Sequence, residues 1–454
     1  MFIDRKPELA ALEKSWRSRR AALLICYGRR RVGKTELIKV FLRGKPAIYF
    51  LADRLSERDN LRALTLLTRD HFREPFLGDF RSWYDFFSYL KTRVDRRMAL
   101  VVDEFPYLCE TNKAVSSVFQ KAWDEILSKL PIMLVLCGSS IGMMERETLA
   151  YGAPLYGRRT GQMRLFPLRF ADFSAFFTGV SFDRRLQFYT MVGGIPAYIQ
   201  QLSRRLSARQ NLIEKILPPE AYLYNEADFI LKEETREPRQ YFSILRSISL
   251  GKRKFGEIVN ETGIEKTSLH RYLYYLEELQ IVEKRVPVTE KPEKSRRGLY
   301  FLNDNYFSFW FDIVFPYRSE LVLGNLSTAL ARLDQAFVHH AATAYEQVAG
   351  EILHRLQPKL FPFARVGKWW DRENEIDVVA LGKPGENVLF AEVKWSTKRV
   401  GVDVFEKLAQ KSKLLPGDYR HKHYVLFSRS GFTPAMKKLA RRQGILLIHG
   451  EREA

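Results

Sequence analysis

Apolar strand-like runs alternate with helical patterns between about residue 20 and residue 167, and this alternation constrains the fold most strongly. The runs read AALLICYG, AIYFLA, MALVVDEF, IMLVLCGSS and MRLFPL. Between two of them, the segment from Lys113 to Leu130 repeats apolar residues at helical spacing. Strands that are apolar throughout and separated by helices are typical of a parallel sheet covered on both faces. The sequence therefore predicts an α/β domain at residues 1–167.

The turn after the first run has the pattern of a phosphate-binding loop. It reads GRRRVGKT, which fits G-x-x-x-x-G-K-[ST], and a helical pattern follows it. In such a loop, backbone N–H groups close on phosphate oxygens at a helix N-terminus. We expect Lys34 to reach the β- and γ-phosphates of ATP and the Thr35 hydroxyl to bind Mg²⁺. The predicted nucleotide-binding residues of this segment are Gly28, Arg29, Arg30, Arg31, Val32, Gly33, Lys34, Thr35 and Glu36.

Polar residues follow the third and fourth apolar runs. Asp103 stands at a strand end, where it is placed to hold Mg²⁺ through water. Glu104 beside it is the candidate general base for the attacking water. Ser139 is placed to contact the γ-phosphate or that water. An Asp-Glu pair after a strand often only caps a loop, and it is the combination with the glycine loop that favours ATP hydrolysis.

Five ordered segments resemble the archaeal-type ATPase family of the AAA+/STAND branch of P-loop NTPases. The segments are FIDRKPELAALE, GRRRVGKTELI, LVVDEFPYL, PLYGRRTG and GGIPAYI. The resemblance covers about residues 1–235, and it implies a strand order of 5-1-4-3-2. Residues 168–235 look wholly helical, and the resemblance makes them the lid of the nucleotide site.

Several residues gain a role only through this resemblance. It implies that the Asp4–Arg5 segment lies near the adenine and that Pro196 contacts the nucleotide from the lid. It also implies that Arg158 or Arg159 stabilises the charge of the γ-phosphate. A solvated turn is the alternative for this arginine pair, and the resemblance does not say which arginine points inward.

Residues 236–305 follow the element order of a winged helix-turn-helix. Three helical segments precede IVEKRVPV and GLYFLN, two strand-like segments that bracket a charged loop. The last helix, from about Glu265 to Leu279, presents Lys266, His270 and Arg271 away from its leucine stripe. Two interpretations stay open: the module contacts DNA, or it clamps the nucleotide state with no DNA involved. An aromatic helical linker is predicted at residues 306–331.

Residues 332–454 carry charged residues in the order helix Glu, strand Asp and strand Glu-x-Lys. These residues are Glu346, Asp377, Glu392 and Lys394. Glu392 and Lys394 are two apart in FAEVKWS, so they share one face of a strand. A simple ion pair would leave Asp377 unexplained, because an aspartate buried in a strand is costly unless it is paired or binds metal. The pattern therefore favours a metal site.

This order resembles the PD-(D/E)xK nuclease fold, a restriction-endonuclease-like α/β domain often fused to archaeal-type ATPases. The resemblance implies that Asp377 and Glu392, with Glu346, bind Mg²⁺, which lowers the pKa of its water. Lys394 is implied to orient that water or to stabilise the developing charge. A nuclease-like fold that only binds is the alternative.

The net charge of +21 favours a polyanionic partner, most simply DNA. No apolar run approaches the roughly 20 residues that span a bilayer, and the charged N-terminus is unlike a signal peptide. We therefore expect a cytoplasmic ATPase with no membrane partner, whose nucleotide state controls a DNA-directed, Mg²⁺-dependent nuclease domain. A STAND-like switch and a DNA-binding regulator, neither of which cuts, are the alternatives. The sequence leaves oligomerisation open.

Overall fold

The structure, a computed structural model, describes residues 3, 5–18 and 20–454, with residues 328 and 334 described by backbone alone. The chain divides into two compact units. The first unit comprises residues 1–167 and 195–197, and the second comprises residues 168–194 and 198–454. Among the described residues, no helix is both long and apolar enough to cross a bilayer.

A five-stranded parallel sheet forms the centre of the first unit. Its strands are β1 (Ala22–Tyr27), β2 (Ala47–Leu51), β3 (Met98–Asp103), β4 (Ile132–Gly138) and β5 (Gly161–Arg164). Their order is β2-β3-β4-β1-β5, which confirms the order 5-1-4-3-2 read from the other edge. Every residue of β3 and β4 is buried, because helices cover both faces of a parallel sheet.

One helix precedes these strands, and others connect them. They are α1 (Lys6–Arg17), α2 (Lys34–Leu42), α3 (Glu57–Phe72), α4 (Trp83–Arg93), α5 (Phe105–Thr111), α6 (Val115–Glu125) and α7 (Ile141–Met144). The helix predicted to reach Leu130 ends at Glu125, and a 3-10 turn follows. The fifth strand begins two residues before MRLFPL and ends at Arg164. Pro167 cannot donate a ladder hydrogen bond, which fits the exit of this segment from the sheet.

The second unit begins with helices. These are α8 (Phe170–Ser174), α9 (Phe182–Val192), α10 (Pro196–Ile199, whose first two residues belong to the first unit), α11 (Ala208–Lys215) and α12 (Glu226–Glu234). Three more helices and an antiparallel hairpin follow: α13 (Pro238–Ser249), α14 (Phe255–Thr262), α15 (Lys266–Glu278), β6 (Val282–Arg285) and β7 (Leu299–Leu302). The elements of residues 238–302 therefore come in the order that the sequence predicted.

The predicted linker is helical but broken. It contains α16 (Asn305–Phe309), a π-turn (Trp310–Val314), a 3-10 turn (Phe315–Tyr317) and α17 (Arg318–Val322). The next helix, α18 (Ser327–Leu356), begins before the predicted boundary at residue 332. The linker is aromatic because its rings are core residues: Phe307, Phe309 and Trp310 are all buried.

A six-stranded sheet ends the second unit. Its strands are β8 (Arg365–Trp370), β9 (Glu375–Leu381), β10 (Asn387–Lys394), β11 (His421–Ser428), β12 (Leu446–His449) and β13 (Arg452–Glu453). Two helices lie between them in the chain, α19 (Val402–Lys411) after β10 and α20 (Pro434–Gln443) after β11. The order is β13-β12-β11-β10-β9-β8. β10 pairs with β11 in parallel and with β9 in antiparallel orientation. β10 is almost wholly buried at the centre of this sheet, so its two charged residues stand out.

Candidate functional site

The turn between β1 and α2 has backbone angles that favour glycine. Gly28 has a φ of 152° and Gly33 a φ of 93°. A Cβ on Gly28 would lie 2.4 Å from the carbonyl oxygen of Leu165, so no larger residue fits there. Arg31 also has a positive φ, of 68°. The turn is thus held close to the end of β5 and can present backbone N–H groups to a ligand.

Lys34 begins α2 and points back into this turn. Its side chain is buried, and Nζ donates hydrogen bonds to the carbonyl oxygens of Gly28 (2.8 Å) and Arg29 (3.2 Å). Arg29 is also buried, and Arg30 donates to the Tyr107 hydroxyl at 2.9 Å. The loop therefore encloses one ammonium at the N-terminus of a helix, the arrangement that favours phosphate.

Asp103 lies buried at the end of β3, beside the helix that follows the loop. Its Oδ2 accepts hydrogen bonds from Thr35 Oγ1 at 2.8 Å and from the Tyr49 hydroxyl at 2.5 Å. Burial and the neighbouring Asp103 carboxylate raise the pKa of Tyr49, so the phenol keeps its proton and donates. The sequence did not single out Tyr49, although its position on β2 beside β3 follows from the strand order.

Glu104 caps α5 with a φ of 54°, an uncommon angle for a residue with a side chain. Its Oε2 accepts hydrogen bonds from the backbone N–H of Ser139 (3.1 Å) and from the Ser139 hydroxyl (2.8 Å). The two residues predicted to meet the attacking water therefore contact each other at the ends of β3 and β4.

Arg5 holds the loop from the N-terminal side. Its buried guanidinium donates through Nη2 to the carbonyl oxygens of Val32 (3.0 Å) and Phe166 (2.7 Å). The other residue of that predicted segment, Asp4, lies outside the described residues. Pro196 lies on the far side of the loop, where its Cγ is 3.8 Å from the place that a Cβ on Gly33 would occupy.

The remaining predicted residues of the nucleotide site lie nearer the surface. Glu36 is exposed on α2 and faces Lys39 at 4.0 Å. Arg158 donates to both carboxylate oxygens of Asp124, through Nε to Oδ1 at 3.1 Å and through Nη2 to Oδ2 at 3.0 Å. Arg159 lies 5.6 Å from the Tyr156 ring, and its buried Nη1 has no hydrogen-bond partner among the described residues. Of the two arginines, Arg159 is therefore the one with an N–H group left to donate to a ligand.

In the second unit, the charged residues of the C-terminal sheet lie close together. Lys394 Nζ donates to Glu392 Oε1 at 2.6 Å on β10. Asp377 on β9 accepts a hydrogen bond from the Val393 N–H at 2.8 Å. Burial raises the pKa of Asp377 to about 7, and the charges of Glu392 and Glu346 act in the same direction. The helix residue Glu346 thus acts on the same carboxyl group as the strand residues do.

Two further lysines contact these acids, and the sequence did not single them out. Lys368 on β8 lies 3.3 Å from both Glu346 Oε2 and Glu375 Oε2, and Lys411 Nζ lies 3.9 Å from Glu392 Oε2. Lys368 stands within RVGKWW, before the strand of Asp377, so strand pairing could have placed it near the acids. No group of three or more His, Cys, Asp or Glu residues is arranged to hold a metal ion in the part of the chain that the structure describes.

The basic side chains around the β6–β7 hairpin fall into two groups. Arg253 stacks over the Phe301 ring at 4.4 Å, and Arg297 pairs with Glu290 and donates to the Trp370 carbonyl oxygen at 3.2 Å. His270 on α15 stacks on Phe255 at 4.2 Å. Arg253 and Arg297 are exposed despite these contacts, and further exposed basic residues of this region are Lys252, Lys254, Lys266, Arg271, Lys284, Lys291, Lys294 and Arg296.

Comparisons with known proteins identify the first unit as an ATPase domain. Residues 2–202 match a family described as an ATPase domain predominantly from Archaea. An uncharacterized protein of Methanocaldococcus jannaschii is 33% identical over 441 residues, which cover 94% of this chain and 96% of that protein. The chain belongs to this predominantly archaeal ATPase family. The loop, Lys34 and Asp103 described above lie within its ATPase domain.

Two further comparisons extend this result. An uncharacterized ATP-binding protein of the same archaeon is 60% identical over 45 residues, which cover 10% of this chain and 76% of that protein. A solved Walker-type ATPase of Pyrococcus abyssi shares the fold with a TM-score of 0.51 and 20% identity, over 69% of this chain and 96% of that one. Residues 310–408 match a family of archaeal and bacterial proteins of unknown function. This second match lies outside the ATPase domain, so the chain joins that domain to a region of a different family.

Proposed function

We propose that this ATPase binds and hydrolyses Mg²⁺-ATP at residues 28–35 and that its nucleotide state controls Mg²⁺-dependent DNA cleavage by the C-terminal sheet. The observation that carries the second half is the position of Asp377 on β9 beside β10: it accepts the Val393 N–H at 2.8 Å, and the charges of Glu392 and Glu346 act on its carboxyl group. Carboxylates are brought together in this way where a cation or a proton compensates them.

In the ATPase site, each side chain has a task that its contacts support. Lys34 supplies positive charge inside the loop, and Arg5 fixes the loop through Val32. Thr35 and Asp103, already hydrogen-bonded to each other, would hold Mg²⁺, which neutralises phosphate charge when bound. Glu104 accepts the proton of the attacking water, and Ser139 orients the Glu104 carboxylate through two hydrogen bonds.

The acidic residues of the C-terminal sheet fit a hard divalent cation in their donor chemistry. Carboxylate oxygens are the ligands that Mg²⁺ prefers. Glu392 is buried, and its Oε2 lacks a hydrogen-bond partner among the described residues, so one lone-pair site is left for a cation. Asp377, Glu392 and Glu346 would hold the ion after their side chains rearrange, because as described they do not form a ligand group and Glu392 and Glu346 are paired with lysines. Bound there, Mg²⁺ would supply an activated water.

The Lys394 side chain lies on the same face of β10 as Glu392. Burial lowers the pKa of Lys394, but the charges of Glu392, Asp377 and Glu346 outweigh burial and raise it. The ammonium therefore keeps its proton, and it would stabilise the charge that develops on a scissile phosphate. Lys368 similarly stays protonated beside Glu346 and would hold that carboxylate in place.

A second candidate function is a nucleotide-dependent switch whose C-terminal sheet binds without cutting. The observation that favours it is the number of lysines at the acids: Lys394, Lys368 and Lys411 each lie within 4.0 Å of a carboxylate. In this interpretation the ammonium groups, rather than a metal, compensate the negative charge. The two functions differ in what divalent ions do to the protein.

The deciding experiment measures DNA cleavage and thermal unfolding with and without Mg²⁺ or Mn²⁺. We expect cleavage only with the ions, and a higher melting temperature in their presence, because ligand binding stabilises the folded state. Glu392→Gln should remove most of the cleavage and the shift in melting temperature. Glu386→Gln, in the exposed loop before β10, is the matched control and should retain both.

A contrary result would decide for the switch. If the wild-type protein leaves DNA intact and its melting temperature ignores the ions, the nuclease proposal is wrong. Glu392→Gln should then chiefly destabilise the protein, by roughly 1–3 kcal/mol, since Lys394, whose side chain is 40% exposed, loses its charged hydrogen-bond partner.

Control by nucleotide is tested in the same assay. Cleavage by the wild-type protein should change between ATP and ADP, whereas Lys34→Ala protein should cut at one rate with either nucleotide. If ATP and ADP change cleavage equally in the two proteins, the nucleotide site does not control cleavage.

A further inference from the structure

A cavity of about 420 Å³ in the second unit lies between α12, the first part of α13, and Phe315 and Arg318 of the linker. It is separate from the acidic cluster of the C-terminal sheet, and none of its lining residues takes part in the proposed ATPase or nuclease chemistry. Its volume is within the range of small-molecule sites, roughly 300–1,000 Å³. The cavity is large enough for one nucleoside-sized ligand.

Aromatic and guanidinium groups form one wall of this cavity. Phe242 and Phe315 line it with their rings 4.9 Å apart. The Arg318 guanidinium, also in the lining, stacks over the Trp310 ring at 4.7 Å. Aromatic rings and a planar guanidinium are the surfaces on which a nucleobase stacks. The wall therefore suits a flat ring better than an aliphatic chain.

The polar groups of the lining complement a phosphorylated ligand. Lys232 and Arg239 are exposed at the rim, and the lining has a surplus of positive charge because Asp228 is already paired with Arg318. Arg239 is also the second residue of α13, whose N-terminus favours an anion. The Arg318 Nε–H is buried and lacks a hydrogen-bond partner among the described residues, so an acceptor on the ligand would satisfy it.

We propose that this cavity binds a nucleoside monophosphate unit, with the base against Phe242, Phe315 and Arg318 and the phosphate at Lys232 and Arg239. Asp228 keeps an oxygen that can accept from an exocyclic amino group of the base. The same unit occurs as a free nucleotide and as one residue of a single strand. The chemistry of the lining is common to both sources, and the experiment separates them.

Binding is measured in Lys34→Ala protein, so that the phosphate loop contributes little. The probes are AMP, adenosine and a 12-nucleotide single-stranded DNA, by calorimetry. AMP should bind at least about tenfold more tightly than adenosine, because the phosphate gains charge-assisted hydrogen bonds. Saturable AMP binding identifies a free nucleotide as the ligand. Binding of the oligonucleotide with no binding of AMP identifies single-stranded DNA as the ligand. A lower affinity for an oligonucleotide with abasic sites would then confirm that the cavity contacts the base.

Two kinds of variant test the location. Lys232→Glu with Arg239→Glu should weaken binding by about tenfold or more. Ser243→Phe, at an exposed lining position, should block the cavity without changing charge. The controls are Lys438→Glu, exposed on α20, and Ser249→Phe, exposed at the end of α13 outside the lining. Thermal melting checks that every variant is folded.

Two results overturn the proposal. One is the absence of saturable binding of both AMP and the oligonucleotide to Lys34→Ala protein. The other is binding that folded Ser243→Phe protein retains in full, since the ligand must then lie elsewhere.

Discussion

The Thr35 hydroxyl donates a 2.8 Å hydrogen bond to Asp103 Oδ2 across 68 residues of sequence. One residue follows the loop after β1, and the other ends β3. In a parallel sheet, the carboxyl ends of the strands meet at one edge, so both side chains reach the same place. The contact brings the loop pattern and the Asp-Glu pair, far apart in the sequence, to one place in the ATPase domain.

Lys34→Ala should weaken ATP binding by roughly ten- to hundredfold, because the loop loses its enclosed ammonium and its charge-assisted hydrogen bonds. Calorimetry with a non-hydrolysable ATP analogue measures this. Lys39→Ala, on the exposed face of the same helix, is the control and should bind like the wild-type protein. Equal affinity of all three proteins would show that Lys34 does not contact phosphate.

Glu104→Gln should retain ATP binding but lower kcat by about 10²-fold or more, since glutamine cannot accept the proton of the attacking water. Steady-state ATPase assays give kcat. The matched control is Glu110→Gln. Glu110 is an exposed carboxylate on α5, the helix that Glu104 caps, and it pairs with Arg54. An ATPase rate that survives Glu104→Gln would remove Glu104 from the role of general base.

Changing Lys254, Lys291, Lys294 and Arg296 to alanine should weaken DNA binding and flatten its dependence on salt. For every DNA phosphate that is no longer neutralised, the slope of log K against log salt concentration should become shallower by roughly 0.9. Arg253 and Arg297 are left unchanged, because they already contact Phe301 and Glu290. Lys14→Ala with Lys39→Ala, in the first unit, is the control. An unchanged slope would mean that the hairpin does not face DNA.

The raised pKa of Asp377 predicts a dependence of stability on pH. Because its pKa is about 7 in the folded protein and about 3.9 when unfolded, the folded state holds the proton more tightly. The free energy of unfolding of metal-free protein should therefore fall as the pH rises from about 4 to 7. Denaturant unfolding across this range measures it.

Asp377→Asn should flatten that fall, since asparagine does not titrate. Glu351 is a second buried carboxyl with a pKa of about 7, and it contributes equally to both proteins, so their difference isolates Asp377. Mg²⁺ should also flatten the fall for the wild-type protein, because it favours the ionised carboxylate. Identical pH profiles for wild type and Asp377→Asn would show that this carboxyl is not perturbed.

The sequence by itself determined the elements whose pattern is local. A glycine loop between an apolar run and a helix predicts phosphate binding, and alternating apolar runs predict the parallel sheet, because backbone angles and two-sided burial restrict the residue types. The approximate limits of α13, α14 and α15 followed from the same logic. At MRLFPL, the strand begins two residues before the predicted run and ends four residues before the end of that run.

Only the tertiary structure decided which charges meet. Lys368 and Lys411 lie beside Glu346 and Glu392 because separate strands and helices converge there, and no spacing in the sequence records that convergence. Tyr49 meets Asp103, and Arg5 meets Val32, for the same reason. A hydrogen bond or a pKa depends on distance and burial, which the sequence encodes only through the whole fold. The sequence therefore supplied the residue types for the chemistry, and the fold decided which partners each would have.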